Sequence, residues 1–294
     1  MANLYSQADS NVRRTWVLMI LLMALIIAVG WFLSYWFDTW IILLIAIVWS
    51  LLMNFFAYWY SDKLVLKTMR AKQVAQEDEP ELYRLTENLA IAAGLPMPRL
   101  YIMEEKQPNA FATGRNEKHA SVIVTRGLIE RLDRSELEGV IAHELSHVRN
   151  KDILIGTVVI VMVGAIAMVS NVSFRMSLLR GNDQRDGGLM AIIGLIGLIL
   201  APLAAAIIKA SISRRREFLA DASGALITRY PEGLASALAK ISGDPNQLSR
   251  ATTSNAHLFV VSPFRGQQSK EWLVGLFATH PPVEERIKRL IEKK

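Results

Sequence analysis

The sequence predicts a multi-pass α-helical membrane protein of four spans that carries an α+β, mainly helical domain assembled from two separated segments. Three observations point that way. Apolar residues collect in four long blocks with the charges almost entirely between them, although the average, 52% hydrophobic and 20% charged, is close to that of a soluble protein. Lys and Arg gather at block ends that an even number of crossings would return to one side. The polar stretches between blocks contain strand-like runs and helix caps, with no internal repeat and no low-complexity tract.

The first block, Trp16–Phe37, is free of charge and long enough to cross a hydrocarbon core of about 30 Å. It is too long for the apolar core of a signal peptide, and no small-residue cleavage site follows. The second block, Trp40–Tyr60, begins almost at once, so the pair reads as a helical hairpin with Trp31, Trp36, Trp40, Tyr58, Trp59 and Tyr60 near the interfaces.

A soluble stretch, Ser61–Asn150, follows. Pro80 and Gly94 bracket a helix with Leu82, Leu85 and Leu89 on one face. Three short strands are expected at Leu100–Met103, Ala110–Thr113 and Ser121–Thr125, the last two joined by a turn at Gly114–Lys118. Ser135 and Glu138 read as the capping box of the next helix. The third block is Ile153–Val169 and the fourth Leu189–Ile208, whose Pro202 a membrane helix tolerates; Asn171–Gly188 between them reads as an exposed loop. The division is therefore 1–60 for the first hairpin, 61–150 for the first part of the domain, 151–208 for the second hairpin and 209–294 for the second part.

Arg13, Arg14, Lys63, Lys67, Arg70, Lys72, Arg149, Lys151, Lys209 and Arg214–Arg216 would lie on one side; Arg175, Arg180 and Arg185 in the second loop dissent. The positive-inside rule then places both termini and both soluble segments in the cytoplasm. The net charge of +6 is read as facing lipid headgroups, not nucleic acid, because no base-reading or base-stacking module is visible. With no cysteine, disulfides, thiolate metal ligands and thiol nucleophiles are excluded.

The chemistry lies in His143-Glu144-Leu145-Ser146-His147, an HExxH motif. On a helix the two histidines, four apart, project from one face and can share a zinc ion, and Glu144 can reach a water held there, take its proton and deliver it to a leaving amine. Leu137, Val140, Ile141, Leu145 and Val148 supply the helical apolar spacing.

A catalytic zinc needs a third protein ligand. Glu217, on a helix just after the fourth block, is the best candidate, and Asp221 one turn on is suited to orient a ligand imidazole. Local sequence leaves open that Glu217 merely pairs with one of Arg214–Arg216. Topology favours ligation: the first helix ends just before the third span and the second starts just after the fourth, so His143, His147 and Glu217 return to one face, on the order of 10–15 Å from the membrane ends.

Further motifs are Pro108-Asn109-Ala110-Phe111-Ala112-Thr113-Gly114, Val124-Thr125-Arg126-Gly127-Leu128, Arg216-Glu217-Phe218-Leu219-Ala220-Asp221 and Thr279-His280-Pro281-Pro282. With HExxH and the order of spans, they make essentially the whole chain resemble the HtpX-type bacterial membrane zinc metallopeptidases, in the gluzincin group that includes the CAAX prenyl proteases. The resemblance implies a zincin-like peptidase domain, one zinc ion held by His143, His147 and Glu217, Glu144 as the catalytic carboxylate, and membrane-protein quality control at the bacterial inner membrane. The extension before Trp16 and the insert around Gly243–Phe264 read as individual to this chain, so substrate details are not carried over from the resemblance.

Three other readings stay open. Asn109, Ala110, Phe111, Ala112 and Thr113 could form an edge strand that pairs with an extended substrate, or a plain sheet strand; the resemblance favours substrate binding. His280 could donate to the oxyanion of a tetrahedral intermediate or cap a local turn. Asp152 could orient a ligand or serve a helix end. Peptide-bond hydrolysis of membrane proteins or other polypeptides is the expected activity, since the site lies near the lipid surface. A peptidase with its ion inside the bilayer is disfavoured by Arg131, Asp133, Arg134, Glu136, Glu138 and Arg149 around the motif. A prenyl-protein protease fits the few spans poorly, and a catalytically silent zinc-binding scaffold would not need Glu144.

Overall fold

Nothing in residues 4–36 breaks a helix: there is no proline, and the one glycine, Gly30, lies deep in the apolar run. The computed structural model, which describes residues 4–179, 207, 213–246, 258–260 and 281–292, accordingly shows one helix, α1 (Leu4–Trp36), beginning well before the expected start at Trp16. A turn leads into α2 (Ile41–Trp59), and a Cβ at Gly30 would overlap that of Ala46, so the glycine sets how closely the two helices approach. Both are long and apolar enough to cross a membrane, and Ile20, Leu21, Trp31, Ile45, Trp49 and Phe55 point outward. Exposed apolar side chains on this scale are stable against lipid, not water.

The third apolar block forms α7 (Asp152–Leu179). It continues past Asn171, where a loop was expected, because no glycine or proline occurs between Gly164 and Gly181. Its first half is buried: Leu154, Ile155, Val158, Val159, Met162 and Val163 pack with Met19, Leu22, Ala57 and Ile207. Of the fourth block only Ile207, a helical residue, is among the described residues. Two of the four expected spans, α1 and α2, therefore appear as helices long and apolar enough to cross a membrane among the described residues, and α7 carries a shorter apolar stretch at Asp152–Gly164.

After α2 comes α3 (Ser61–Thr68), then a four-stranded sheet in the order β1-β2-β4-β3. Strands β2 (Arg99–Met103), β3 (Ala110–Thr113) and β4 (Ser121–Thr125) fall where expected; β1 (Lys72–Gln73) is added by pairing with Ile102 and Tyr101, too short and polar to be legible beforehand. β2 and β4 run parallel, and β3 is antiparallel to β4 at one edge. Helix α4 (Pro80–Ala93) starts on its proline and stops at left-handed Gly94 (φ 68°), with Leu82, Leu85 and Leu89 turned into the core.

Short α5 (Arg126–Arg131) leads to α6 (Arg134–Arg149), the central helix. Its capping box is two residues earlier than expected: Asp133 Oδ1 accepts from the Glu136 N–H (3.0 Å) and Glu136 Oε2 from the Asp133 N–H (2.9 Å). Ser135 instead donates to Asp133, and Glu138 pairs with Arg134, because the first helical residue is Arg134. The second part supplies α8 (Arg214–Thr228), α9 (Pro231–Ser242) and α10 (Val283–Ile291); α8 and α9 pack against α6, and α10 packs against α9 and α8. Glu136 accepts from Ser236 (2.6 Å) and Lys240 (2.7 Å), tying α9 to the start of α6. Leu137, Val140, Ile141, Leu145 and Val148 bury the apolar faces of α6 in a single core with α4, the sheet and Leu234, Leu238 and Ile241 of α9.

Candidate metal centre

His147 stands four positions after His143, about one helical turn, so their rings meet along one face of α6, edge to face with centroids 4.7 Å apart. Their Nε2 atoms approach to 3.2 Å. From α8, Glu217 brings Oε1 to 3.7 Å from His147 Nε2 and Oε2 to 3.9 Å from His143 Nε2. Gly224, two turns beyond Glu217 on the same face, permits this approach: a Cβ there would stand 3.0 Å from the backbone nitrogen of His143 and 3.2 Å from its Cα. Gly224→Val is expected to push α8 off α6, destabilising the chain by about 1–3 kcal/mol and loosening metal binding. A thermal melt and a chelator titration check both.

Carboxylates lie behind both imidazoles. Asp152 Oδ2 is 3.0 Å from His147 Nδ1, and the same residue is the first of α7. Asp221 Oδ1 is 3.0 Å from His143 Nδ1, although the approach is too oblique for an aligned hydrogen bond. Asp221 is gripped by Arg286 of α10, whose Nε and Nη2 donate to its two oxygens at 2.8 and 2.6 Å. Arg286 is fully enclosed; it also donates to the Val260 carbonyl (2.9 Å), and its Nη2 lies 3.4 Å from His143 Nε2. A guanidinium only donates, so His143 Nε2 carries the lone pair and Nδ1 the proton that faces Asp221.

This donor set suits a divalent cation. Burial holds His143 below the usual imidazole range, so it is neutral. Burial also opposes protonation of His147, yet its hydrogen bond to Asp152 and the Glu217 carboxylate outweigh that and push it up to about 9. A site that draws a proton so strongly to the imidazole stabilises positive charge, which a metal ion supplies with better geometry. Tetrahedral zinc with Zn–N bonds of about 2.05 Å would separate two nitrogens by about 3.3 Å, close to the 3.2 Å found here. Among the described residues, His143, His147 and Glu217 form the cluster whose ligand atoms all lie within 4.8 Å of one another.

Glu144 is buried beside them. Burial pushes its carboxyl up to about 7, with the Glu217 charge adding to the effect and His147 opposing it; the backbone N–H of Ala112 donates to it. That bond joins the motif to β3. Asn109 and Thr125 are paired by hydrogen bonds at the start of the β3–β4 ladder, so Ala110 and Ala112, in register with Val124 and Val122, turn their peptide groups to the outer edge. The strand thus lies at an edge, as substrate pairing would need. The Ala110 carbonyl already accepts from the Val260 N–H (3.2 Å), and Phe259 packs edge-to-face on Phe111. His280 lies outside the described residues.

Two residues here went unnoticed in the sequence, Arg286 and Asn11, while Arg216 was read only as a basic flank and a possible partner of Glu217. Arg286 had a signal, since it shares a helical stripe with Val283, Ile287 and Leu290, where a cation is out of place unless paired. Asn11 and Thr15, both buried, precede Met19 and Leu22 along α1 in the same way.

Comparison with known proteins shows the family to which the chain belongs. The family model for peptidase family M48 matches residues 76–294. The chain is 46% identical over 297 residues to a protease HtpX homolog of Thermoanaerobacter pseudethanolicus, covering 98% of this chain and 97% of that one. A protease HtpX homolog of Pyrococcus furiosus is 46% identical over 282 residues, with 94% of each chain covered. The crystal structure of S. mikatae Ste24p shares the fold with a TM-score of 0.52 at 16% identity, covering 98% of this chain and 67% of that one.

Proposed function

The chain belongs to peptidase family M48 and is a membrane metalloprotease; on that footing we propose a zinc endopeptidase whose single ion is held by His143, His147 and Glu217, with Glu144 as the proton carrier. The observation that carries the reading is the meeting of two helices distant in sequence, with the Nε2 atoms 3.2 Å apart and the Glu217 oxygens 3.7 and 3.9 Å from them.

A bound zinc ion would supply a Lewis acid and an acidified water. Glu144 would accept a proton from the attacking water as a bond forms to the scissile carbonyl carbon. It returns the proton to the amine nitrogen as the C–N bond breaks, leaving a carboxylic acid and an amine. A carboxyl raised to about 7 is matched to accepting and releasing a proton near neutrality. Asp152 and Asp221 hold the imidazoles in register, and Arg286 holds Asp221. The outer edge of β3, Asn109–Thr113, cradles the extended substrate, which displaces Val260 from the Ala110 carbonyl as it pairs. His280 is retained as a proposed oxyanion donor.

Substrates would be membrane proteins and other polypeptides presented at the lipid surface. Asp152, which touches His147, is the first residue of α7, and the apolar body of that helix begins at Ile153. The four-span topology, with both termini and the peptidase domain in the cytoplasm of a bacterial inner membrane, rests on the apolar blocks and the basic residues at their ends. A role in membrane-protein quality control goes with it. Over the silent-scaffold and prenyl-protease alternatives, the buried, proton-ready Glu144 beside the cluster supports peptide hydrolysis.

Glu217→Ala tests the third ligand. Zinc affinity of the purified full chain, measured by competition with a chromophoric chelator, is expected to fall at least about 100-fold. Parental stoichiometry and affinity would remove Glu217 from the site.

A further inference from the structure

Asn11 precedes the segment that matches the family, residues 76–294, and belongs to α1, the first membrane helix. It is only 2% exposed, and its amide meets three different elements. Nδ2 donates to the Asn150 carbonyl at the end of α6 (2.9 Å) and to Asp152 Oδ1 at the start of α7 (2.6 Å). Oδ1 accepts from Arg216 Nη1 of α8 (3.1 Å). A carboxylate and a carbonyl on one side and a guanidinium on the other leave the amide a single orientation, since the flipped form would set oxygen against oxygen and N–H against N–H.

We infer that Asn11 is a positioning residue for the metal centre, acting through Asp152 on His147, so that the first membrane helix is part of the active site. The inference rests on the proposed ligand set. Asp152 uses its oxygens separately: Oδ1 takes Asn11, with Arg216 Nη1 at 3.6 Å, and Oδ2 faces His147 Nδ1 at 3.0 Å. The short bond from Asn11 fixes the carboxylate torsion and therefore the direction of Oδ2. Without it Asp152 turns toward Arg216, and the His147 ring loses the partner that sets its tautomer and tilt. The seating of a lipid-anchored helix is thereby coupled to the geometry of a metal ligand more than a hundred residues away in sequence.

No apolar or acidic side chain replaces this arrangement. Alanine leaves the Asn150 carbonyl, Asp152 and Arg216 each short of a partner. Aspartate keeps the shape but sets a second carboxylate against Asp152 and removes the donor.

Chelator competition on the full-length chain in detergent micelles distinguishes positioning from simple helix packing. Asn11→Ala is expected to weaken zinc binding about tenfold, the low end for groups behind a metal ligand. Asn11→Asp, closer in shape, is expected to weaken it more. The comparison is Thr15→Val, one turn on, whose parent hydroxyl donates to the Asn11 carbonyl and meets no part of the metal centre; it is expected to stay within about twofold of the parent. A milder loss in Asn11→Asp than in Asn11→Ala, or an equal loss in Thr15→Val, would mean packing alone and overturn the inference. Parental affinity in both Asn11 variants, with zinc lost in His147→Ala, would also overturn it while leaving the ligand set standing. Parental affinity in His147→Ala would overturn the ligand set itself.

Discussion

Glu144→Gln is expected to bind zinc at the parental stoichiometry and to cleave β-casein about 10²–10⁴-fold more slowly. The substitution changes an oxygen to an NH2 on a side chain only 2% exposed, so the volume of the site is preserved. What disappears is the group able to accept a proton, because a carboxamide does not titrate in this range. Folding should not suffer. Burial raises the Glu144 carboxyl from 4.5 to about 7, so the fold favours its neutral form, and the stability this contributes is lost as pH rises through 7. The neutral amide does not undergo that loss, and the melting temperature at pH 8 should be no lower than the parent's. Full peptidase activity in the variant would end the proposed mechanism; loss of zinc would mean that Glu144 helps hold the ion.

The second large effect concerns Arg286. Arg286→Ala removes both hydrogen bonds to Asp221 and leaves that carboxylate enclosed beside His143 without its cation. Breaking one side of such a buried pair is expected to cost about 3–5 kcal/mol, a drop in Tm on the order of 10 °C. Burial alone would raise Asp221, but the hydrogen bonds and charge of Arg286 outweigh it and hold the carboxyl at about 2, below its ordinary 3.8. Its contribution to stability is therefore present above pH 3.8 and lost as pH falls toward 2, and Arg286→Ala should flatten the acid limb of a pH–Tm profile. Joining Arg286→Met to Asp221→Leu should restore much of the Tm, since an apolar pair of similar volume avoids both desolvation costs. Zinc affinity should remain about 10–100-fold below the parent, because His143 has then lost the group behind it. Parental affinity in the double variant would show that the ion pair serves stability alone.

Much of this was legible along the chain. The HExxH helix was identifiable because apolar residues at helical spacing and two histidines four apart are local properties of sixteen consecutive residues. The strands at Ala110–Thr113 and Ser121–Thr125 were equally local, as were the proline and glycine that bound Pro80–Ala93. Errors came where local rules had two solutions. Asp133 and Ser135 each stand three residues before a glutamate, and only the position of the first helical turn decides which of them caps it. The loop expected from Asn171 rested on polarity, but polar residues without a glycine or proline do not stop a helix.

Sequence by itself singled out the candidates for the chemistry, His143, Glu144, His147 and Glu217, from motif spacing and the expected return of the spans to one side, before any distance was known. It also pointed to a membrane protein, since charge-free runs of that length are long enough to cross a bilayer. Only the tertiary structure decided what surrounds those groups: Arg286 behind Asp221, Asn11 behind Asp152, and the Val260 N–H on the Ala110 carbonyl. The reason is physical. Helical and strand periodicity act over a few residues, whereas a buried ion pair or amide contact depends on which side chains packing brings within about 3 Å, and no pattern along the chain encodes that separation.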